Sequence, residues 1–210
     1  MIRVADLAFR YRPDSDELFN GLTYTFQPGL LTAVTGASGR GKSTLLYVLG
    51  LMLSPSGGTV IVDGVDTRGL SDAHKSDLRA RRIGFVFQDS ALDPTRTLLE
   101  SVIEPALYAG RTRRDAISPA RVLLNRMGVE HRIDQRPGQI SGGQAQRVAL
   151  CRALINEPAM LLADEPTGNL DRVSAEGVIS VLREASRNAS VIIATHDPFV
   201  LEHVDEVLAL

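Results

Sequence analysis

Gly36, Gly41, Lys42 and Ser43 stand in "GASGRGKST" at the spacing G-x-x-x-x-G-K-[ST], which suits a loop that wraps a polyphosphate. In such a loop backbone N–H groups converge on phosphate oxygens, the Lys42 ammonium neutralises the outer ones, and the Ser43 hydroxyl can ligate Mg²⁺. A glycine-rich turn with a solvated lysine is the plainer alternative. Against it stands the context, an apolar strand-like run "GLLTAVTG" before the loop and a helical run after it. Further on, "LLADEPTGNLD" sets Asp164 and Glu165 side by side at the end of a run too apolar to face water. A carboxylate there is costly unless it is paired or metal-bound. Asp164 suits a partner for an Mg²⁺-bound water, and Glu165 suits a base or water-orienting group beside a γ-phosphate. Each could instead be a strand-end residue capping the next helix; with the phosphate loop, the pair points to hydrolysis of a nucleoside triphosphate. No Asn-Lys-x-Asp-like element for guanine is present, so ATP is favoured. Tyr11, on the expected first strand, could stack on adenine through its π face, or be a surface aromatic on an edge strand.

A second anion site is written into "QISGGQAQRVALCRAL". Ser141, Gly142 and Gly143 open a helix with no bulky side chain over its end. A helix start presents unpaired N–H groups and partial positive charge, and glycines let phosphate approach the backbone. One chain therefore carries two phosphate-binding helix starts, about a hundred residues apart.

The elements that must position these groups follow from the apolar patterning. "IRVADLAFRY", "LTYTF" and "GGTVIVDG" are short alternating runs with Gly and Pro punctuation, which predict antiparallel strands in the first 65 residues. From about Ser90 to Pro137 the pattern turns helical, with "TLLESVIEPALYAG" and "AISPARVLLNRMG", the latter closing on Gly128 as a C-cap. "AMLLAD" and "VIIATHD" read as buried strands flanking a helix over about Asp171 to Ala185. Strands alternating with helices imply a parallel α/β core.

Composition narrows the class. A chain of 210 residues with 44% hydrophobic and 23% charged residues and a net charge of −2 has enough core for one unit. It lacks the basic excess of a phosphate-driven nucleic-acid binder. The single cysteine, Cys151, excludes an intrachain disulfide and sits in an apolar helical run, where a buried thiol is expected. The first residues mix Arg3, Asp6, Arg10 and Arg12 without an apolar stretch, unlike a signal peptide, and the longest apolar run, Leu45 to Leu53, is too short to span a bilayer. If the protein works at a membrane, another chain must span it.

The ordered set Tyr11, "GASGRGKST", Gln88 in "FVFQD", "ISGGQAQR", "LLADEP", "GNLD" and His196 in "ATHD" covers nearly the whole chain and resembles the nucleotide-binding subunit of an ABC transporter. The resemblance implies an α/β P-loop NTPase fold: an ABC-type ATPase with a RecA-like parallel-sheet core, an N-terminal antiparallel β-subdomain and an inserted α-helical subdomain. It would be one domain over residues 1–210, with core and β-subdomain at 1–88 and 138–210 and the helical subdomain at about 89–137. By the same likeness ATP would lie on Tyr11 and on Gly36, Ala37, Ser38, Gly39, Arg40, Gly41, Lys42, Ser43 and Thr44. Ser141, Gly142, Gly143 and Gln144 would contact the γ-phosphate held by a second copy in a head-to-tail homodimer, with Asp171 across that interface. Two anion sites per chain then make two complete sites per dimer. Glu165, His196, Gln88 and Lys42 would be catalytic, His196 touching the γ-phosphate and Gln88 the attacking water or Mg²⁺; Ser43, Gln88 and Asp164 would serve the Mg²⁺. His74, His131 and His203 match no motif and are expected on the surface or in packing.

Three departures stand out. Ile140 replaces the leucine common before Ser-Gly-Gly, Arg40 occupies a variable loop position, and "GNLD" differs from the more usual Ser-Ala-Leu-Asp. "ADEPTGNLD", "GLMLSPSGGTVIVDG" and "RRIGFVFQ" are similar to the group containing macrolide exporters, lipoprotein-releasing ATPases and the cell-division ATPase FtsE. The likeness implies a peripheral subunit at the cytoplasmic face of the membrane. It would drive a separate permease through a groove between the Gln88 loop and the helical insert, with no direct nucleic-acid contact. MacB-like export of an amphipathic or toxic compound is the leading expectation, the substrates of the group including haem, antimicrobial peptides, macrolides and lipoproteins. An FtsE-like regulator of a cell-wall hydrolase is the alternative. A soluble ABC protein of DNA repair or translation is disfavoured by the absence of a heptad run and of a second cassette.

Overall fold

The computed structural model describes residues 1–37, 39–168 and 170–210. Within them two sheets form. β1 (Ile2–Phe9), β2 (Leu18–Phe26), β4 (Gly57–Val62) and β5 (Val65–Asp66) make an antiparallel sheet in the order β2-β1-β4-β5. β3 (Leu31–Thr35), β6 (Ile83–Val86), β7 (Met160–Asp164), β8 (Ser190–Ala194) and β9 (Glu206–Ala209) make a parallel sheet in the order β6-β7-β8-β3-β9. The chemistry of the sequence explains the difference. β1 alternates buried and exposed residues, as a strand with one wet face must, whereas every residue of β7 and β8 is buried, as in a sheet covered on both faces.

Helix α1 (Lys42–Leu49) follows β3, and α5 (Gly142–Leu154) and α6 (Arg172–Ser186) bracket β7. The segment between β6 and α5 is helical as the spacing predicts. Thr97 and Glu100 form a reciprocal capping box at the start of α3 (Leu98–Tyr108), and α4 (Arg113–Arg126) stops before Gly128, whose φ of 67° is the left-handed value that ends helices. This insert does not keep a core of its own. Leu98, Val102, Ala116 and Leu124 pack in one cluster with Val148 and Cys151 of α5 and with Leu161 and Val191 of the parallel sheet. The insert and α5 therefore share apolar surface.

One full helix escaped the sequence reading. α2 (Asp72–Arg82) buries none of its residues, so it has no apolar stripe to read; Ser71 caps it and three arginines sit in its last turn, where they complement the helix dipole. α7 (Pro198–Leu201) is a single turn. No described helix is long and apolar enough to cross a membrane.

In the parallel sheet Val34 and Asp164 both pair with Ala194, on opposite sides of β8. The carboxyl ends of β3, β7 and β8 thus lie side by side. Ligands of open parallel sheets gather at that edge, and here it carries the glycine loop, Asp164 with Glu165, and Thr195 with His196.

Candidate active site

The loop from Gly36 to Gly41 joins β3 to α1. Gly41 is the N-cap of α1 with φ 92°, and a Cβ there would also come within 3.0 Å of Leu18 Cδ1, so the turn into the helix requires glycine. Lys42 donates from Nζ to the Gly36 carbonyl at 2.9 Å and the Ala37 carbonyl at 3.4 Å, which draws the loop into a ring around the ammonium. Gly39 and Arg40 lie on the exposed arc, Arg40 N–H closing a turn onto the Ala37 carbonyl; Ser38, expected among the phosphate ligands, falls outside the described residues.

Tyr11 lies two residues beyond the end of β1, not on the strand, because β1 stops at Phe9. Its ring is 62% exposed and meets Phe9 edge-on with centroids 4.9 Å apart. Its hydroxyl shares a 2.7 Å hydrogen bond with Thr44 Oγ1, which ties the aromatic to the helix that carries the glycine loop.

Ser43 Oγ donates to Asp164 Oδ1 at 3.0 Å, joining the loop to the end of β7. Asp164 is 3% exposed. Burial pushes its pKa above the ordinary carboxylate value and the neighbouring Glu165 charge adds to that, while the Ser43 hydrogen bond and the Lys42 ammonium pull it back. A buried carboxylate beside a hydroxyl, with too little positive charge nearby, is the donor set that a hard divalent cation completes. Among the described residues no group of three or more His, Cys, Asp or Glu forms a metal cage, and Mg²⁺ does not need one, since it binds through one or two protein oxygens, waters and substrate phosphates. Ser43 and Asp164 therefore fit Mg²⁺.

Glu165 turns out of β7 with a left-handed φ of 44°, a strained geometry for a residue with a side chain, pinned by its N–H on the Ala194 carbonyl at 2.9 Å. Both carboxylate oxygens are engaged. Thr195 Oγ1 donates to Oε2 at 3.0 Å, and His196 Nδ1 lies 2.7 Å from Oε1. The His196 side chain is 80% exposed and that of Glu165 only 13%, so histidine covers the outer side of a carboxylate that is otherwise enclosed. Behind it Thr195, fully buried, accepts from Asp197 N–H at 3.1 Å, and Thr167 donates to Asp197 Oδ2 at 3.2 Å. Asp197 also caps α7, accepting from Phe199 N–H at 3.0 Å.

Gln88, two residues past β6, lines a cavity of 250 Å³ with Ser90, Gly142, Gln146, Glu165 and Leu170. Expected site residues at the start of α5 and α6 are engaged locally. Ser141 Oγ accepts from Gln144 N–H at 3.3 Å and Gln144 Oε1 accepts from Ser141 N–H at 3.0 Å, while Asp171 accepts from Ser174 N–H and Oγ, both at 2.9 Å. No described hydrogen bond joins Ser141–Gln144 or Asp171 to the glycine loop of the same chain.

Thr195, Thr167, Asp197 and Gln146 were missed from sequence, and only adjacency to His196 or to the Ser-Gly-Gly helix could have flagged them. The unmatched histidines are structural where contacts are seen: His74 pairs with its cap Ser71, and His203 with the Phe199 carbonyl. The Cys151 thiol is buried and pushed up to about 12 by desolvation, an inert core group as expected.

Comparison with known proteins agrees with this geometry. The family profile described as "ABC transporter" matches residues 19–168. A protein of Myxococcus xanthus named "Lipoprotein-releasing system ATP-binding protein LolD" is 46% identical over 86% of this chain and 82% of its own length. One of the same name from Granulibacter bethesdensis is 44% identical over 100% and 93%. Among solved structures, the dimeric post-hydrolysis ATP-binding cassette MJ0796 bound to ADP and Pi superposes with TM-score 0.93 at 30% identity, covering 100% of this chain and 94% of that one.

Proposed function

This chain belongs to the ABC transporter family and is an ATP-binding ATPase of it; from that premise we propose that it powers release of lipoproteins through a separate membrane-spanning permease. The observation that carries the substrate class is the match, over 86% and 100% of this chain, to relatives named as ATP-binding proteins of lipoprotein-releasing systems. It replaces the MacB-like expectation within the same group, and it does not favour the FtsE-like alternative.

ATP lies on the glycine loop with adenine against Tyr11. Lys42 turns its ammonium from the Gly36 and Ala37 carbonyls to the β- and γ-phosphates, and Ser43 and Asp164 are the residues that would hold Mg²⁺. When bound, that ion neutralises charge on the β- and γ-oxygens. Glu165 takes the proton of the attacking water; Thr195 holds one of its oxygens and His196 exchanges the other for the γ-phosphate. Gln88, across the shared cavity, orients the water.

A second copy completes the site. Support comes from Gly142: a Cβ built there meets nothing within 4 Å, so nothing inside the chain demands glycine. Close approach of a ligand from outside does. Two copies joined through two nucleotides turn occupancy into closure, and hydrolysis into opening. The permease fits the groove of 710 Å³ between α2, β6, α3 and α5, where Met52 (41% exposed) and Tyr108 (69%) stand beside Phe87 and Arg152. Docking there would set the chain at the cytoplasmic face of the membrane, and no described helix is long and apolar enough to cross it.

Glu165→Gln keeps ATP binding and loses on the order of 10²-fold or more in turnover, since the base is gone and the shape is kept. Tagged Glu165→Gln with Mg-ATP is then the bait for the permease in detergent-solubilised membranes. The captured complex, rebuilt with wild-type subunit in proteoliposomes, should release an acylated lipoprotein on ATP addition. Turnover without lipoprotein release, or release of a non-acylated amphipath instead, would overturn the substrate class.

A further inference from the structure

Phe87 and Gln88 are neighbours that face opposite ways: Phe87 lines the groove and Gln88 the catalytic cavity. The turn they open is held by side chains of α5. Gln146 Nε2 donates to the Phe87 carbonyl at 3.4 Å, and Arg152 donates to the Ser90 carbonyl at 2.8 Å and the Ala91 carbonyl at 2.6 Å. Ser90 and Ala91 have φ of 60° and 46°, left-handed values that residues with side chains keep only when their surroundings enforce them. The Arg152 guanidinium also lies 6.0 Å from the Phe87 ring centroid. Burial pushes its pKa below the ordinary guanidinium value, while the Glu104 and Asp89 carboxylates act against that through space. Its two terminal nitrogens each donate to a backbone carbonyl of the turn, and it also lines the groove.

We propose that Arg152 is a positioning residue: its grip on the Ser90 and Ala91 carbonyls keeps Gln88 facing Glu165. The inference rests on the catalytic role of Gln88 proposed above. Rigid two-point contact matters, because a planar guanidinium spans two acceptors that a point charge cannot. Releasing the turn lets the two left-handed residues relax and carries Gln88 away from the water it orients.

The test is a double-mutant cycle on the full chain, with kcat, KM, ATP affinity and Tm measured for wild type, Gln88→Ala, Arg152→Ala and the double variant. Arg152→Ala should lower kcat about 10-fold to 100-fold, the scale of a small misplacement of a reacting group, with ATP affinity unchanged. The double variant should be no slower than Gln88→Ala alone, because both act through one group. Multiplying losses, or a loss confined to KM, would overturn the proposal while leaving the role of Gln88 intact. If Gln88→Ala itself turns over normally, the reading of Gln88 fails first and the proposal with it. Should Arg152→Ala not fold, Arg152→Lys keeps the charge and stem and is expected to lose kcat about 10-fold; wild-type kcat in that variant would equally overturn the two-point grip.

Discussion

Asp164 is held at the end of β7 at a cost that only a cation relieves. Its carboxylate is 3% exposed and its pKa is raised by burial and by Glu165, so the folded state holds its proton to a higher pH than the unfolded chain does. Between the ordinary value of 3.8 and the raised one the native state binds more protons. Stability therefore falls as pH rises through that window. Asp164→Asn removes the charge and keeps an oxygen for Ser43. In the absence of nucleotide it should raise Tm at pH 7 by roughly 2–4 °C, the shift that about 1 kcal/mol produces in a domain of this size, and it should abolish hydrolysis. The gain should vanish when both proteins are melted near pH 4; an unchanged or lower Tm at pH 7 would mean that Asp164 is not strained. Asp164 and Glu165 were legible because carboxylates ending an apolar run are a contradiction that needs an explanation. Thr195 was not legible, since a buried threonine is ordinary until a structure places its hydroxyl 3.0 Å from Glu165.

At the scale of elements, apolar periodicity carried the buried strands and the helices that pack on them, and failed where an element buries nothing. β7 and β8 are continuous apolar runs, whereas α2 has only polar and half-covered faces, and its existence depends on its Ser71 cap and its neighbours. Tyr11 was assigned to β1 because nothing local marks Phe9 as the last paired residue, which pairs with Leu18 across an irregular register. The start of α5 has two duties that sequence alone could not separate. Ser141 caps its own helix through Gln144, and the proposed dimer also asks it to meet a phosphate. Ser141→Asp separates them. Aspartate is as good an N-cap as serine and suits the positive end of the helix, so Tm should hold or rise slightly. Its charge repels a γ-phosphate, so ATP-dependent dimerisation should be lost while ATP binding by the single chain is kept. Retained dimerisation would remove Ser141 from the interface.

For the whole molecule, two anion sites on one chain that share no described hydrogen bond are the feature behind the proposed pairing with a second copy. They sit on different elements: the glycine loop rides on β3 and α1, and the Ser-Gly-Gly start on α5, which shares its core with α3 and α4. Stability measured with nucleotide can tell whether they meet between copies. ATP at about 100 times its Kd should stabilise any form that binds it by about 2.7 kcal/mol, raising Tm by roughly 5–10 °C. For binding to single chains that shift is independent of protein concentration. When two copies close on the nucleotide, association is linked to folding and Tm climbs with protein concentration as well. Glu165→Gln, which cannot hydrolyse its way out of the closed state, should show that climb in Mg-ATP and lose it in ADP. Adding Ser141→Asp to Glu165→Gln should leave the ATP shift in place and flatten its dependence on protein concentration. A flat response in Glu165→Gln alone would mean that the second anion site serves something other than a twin of this chain.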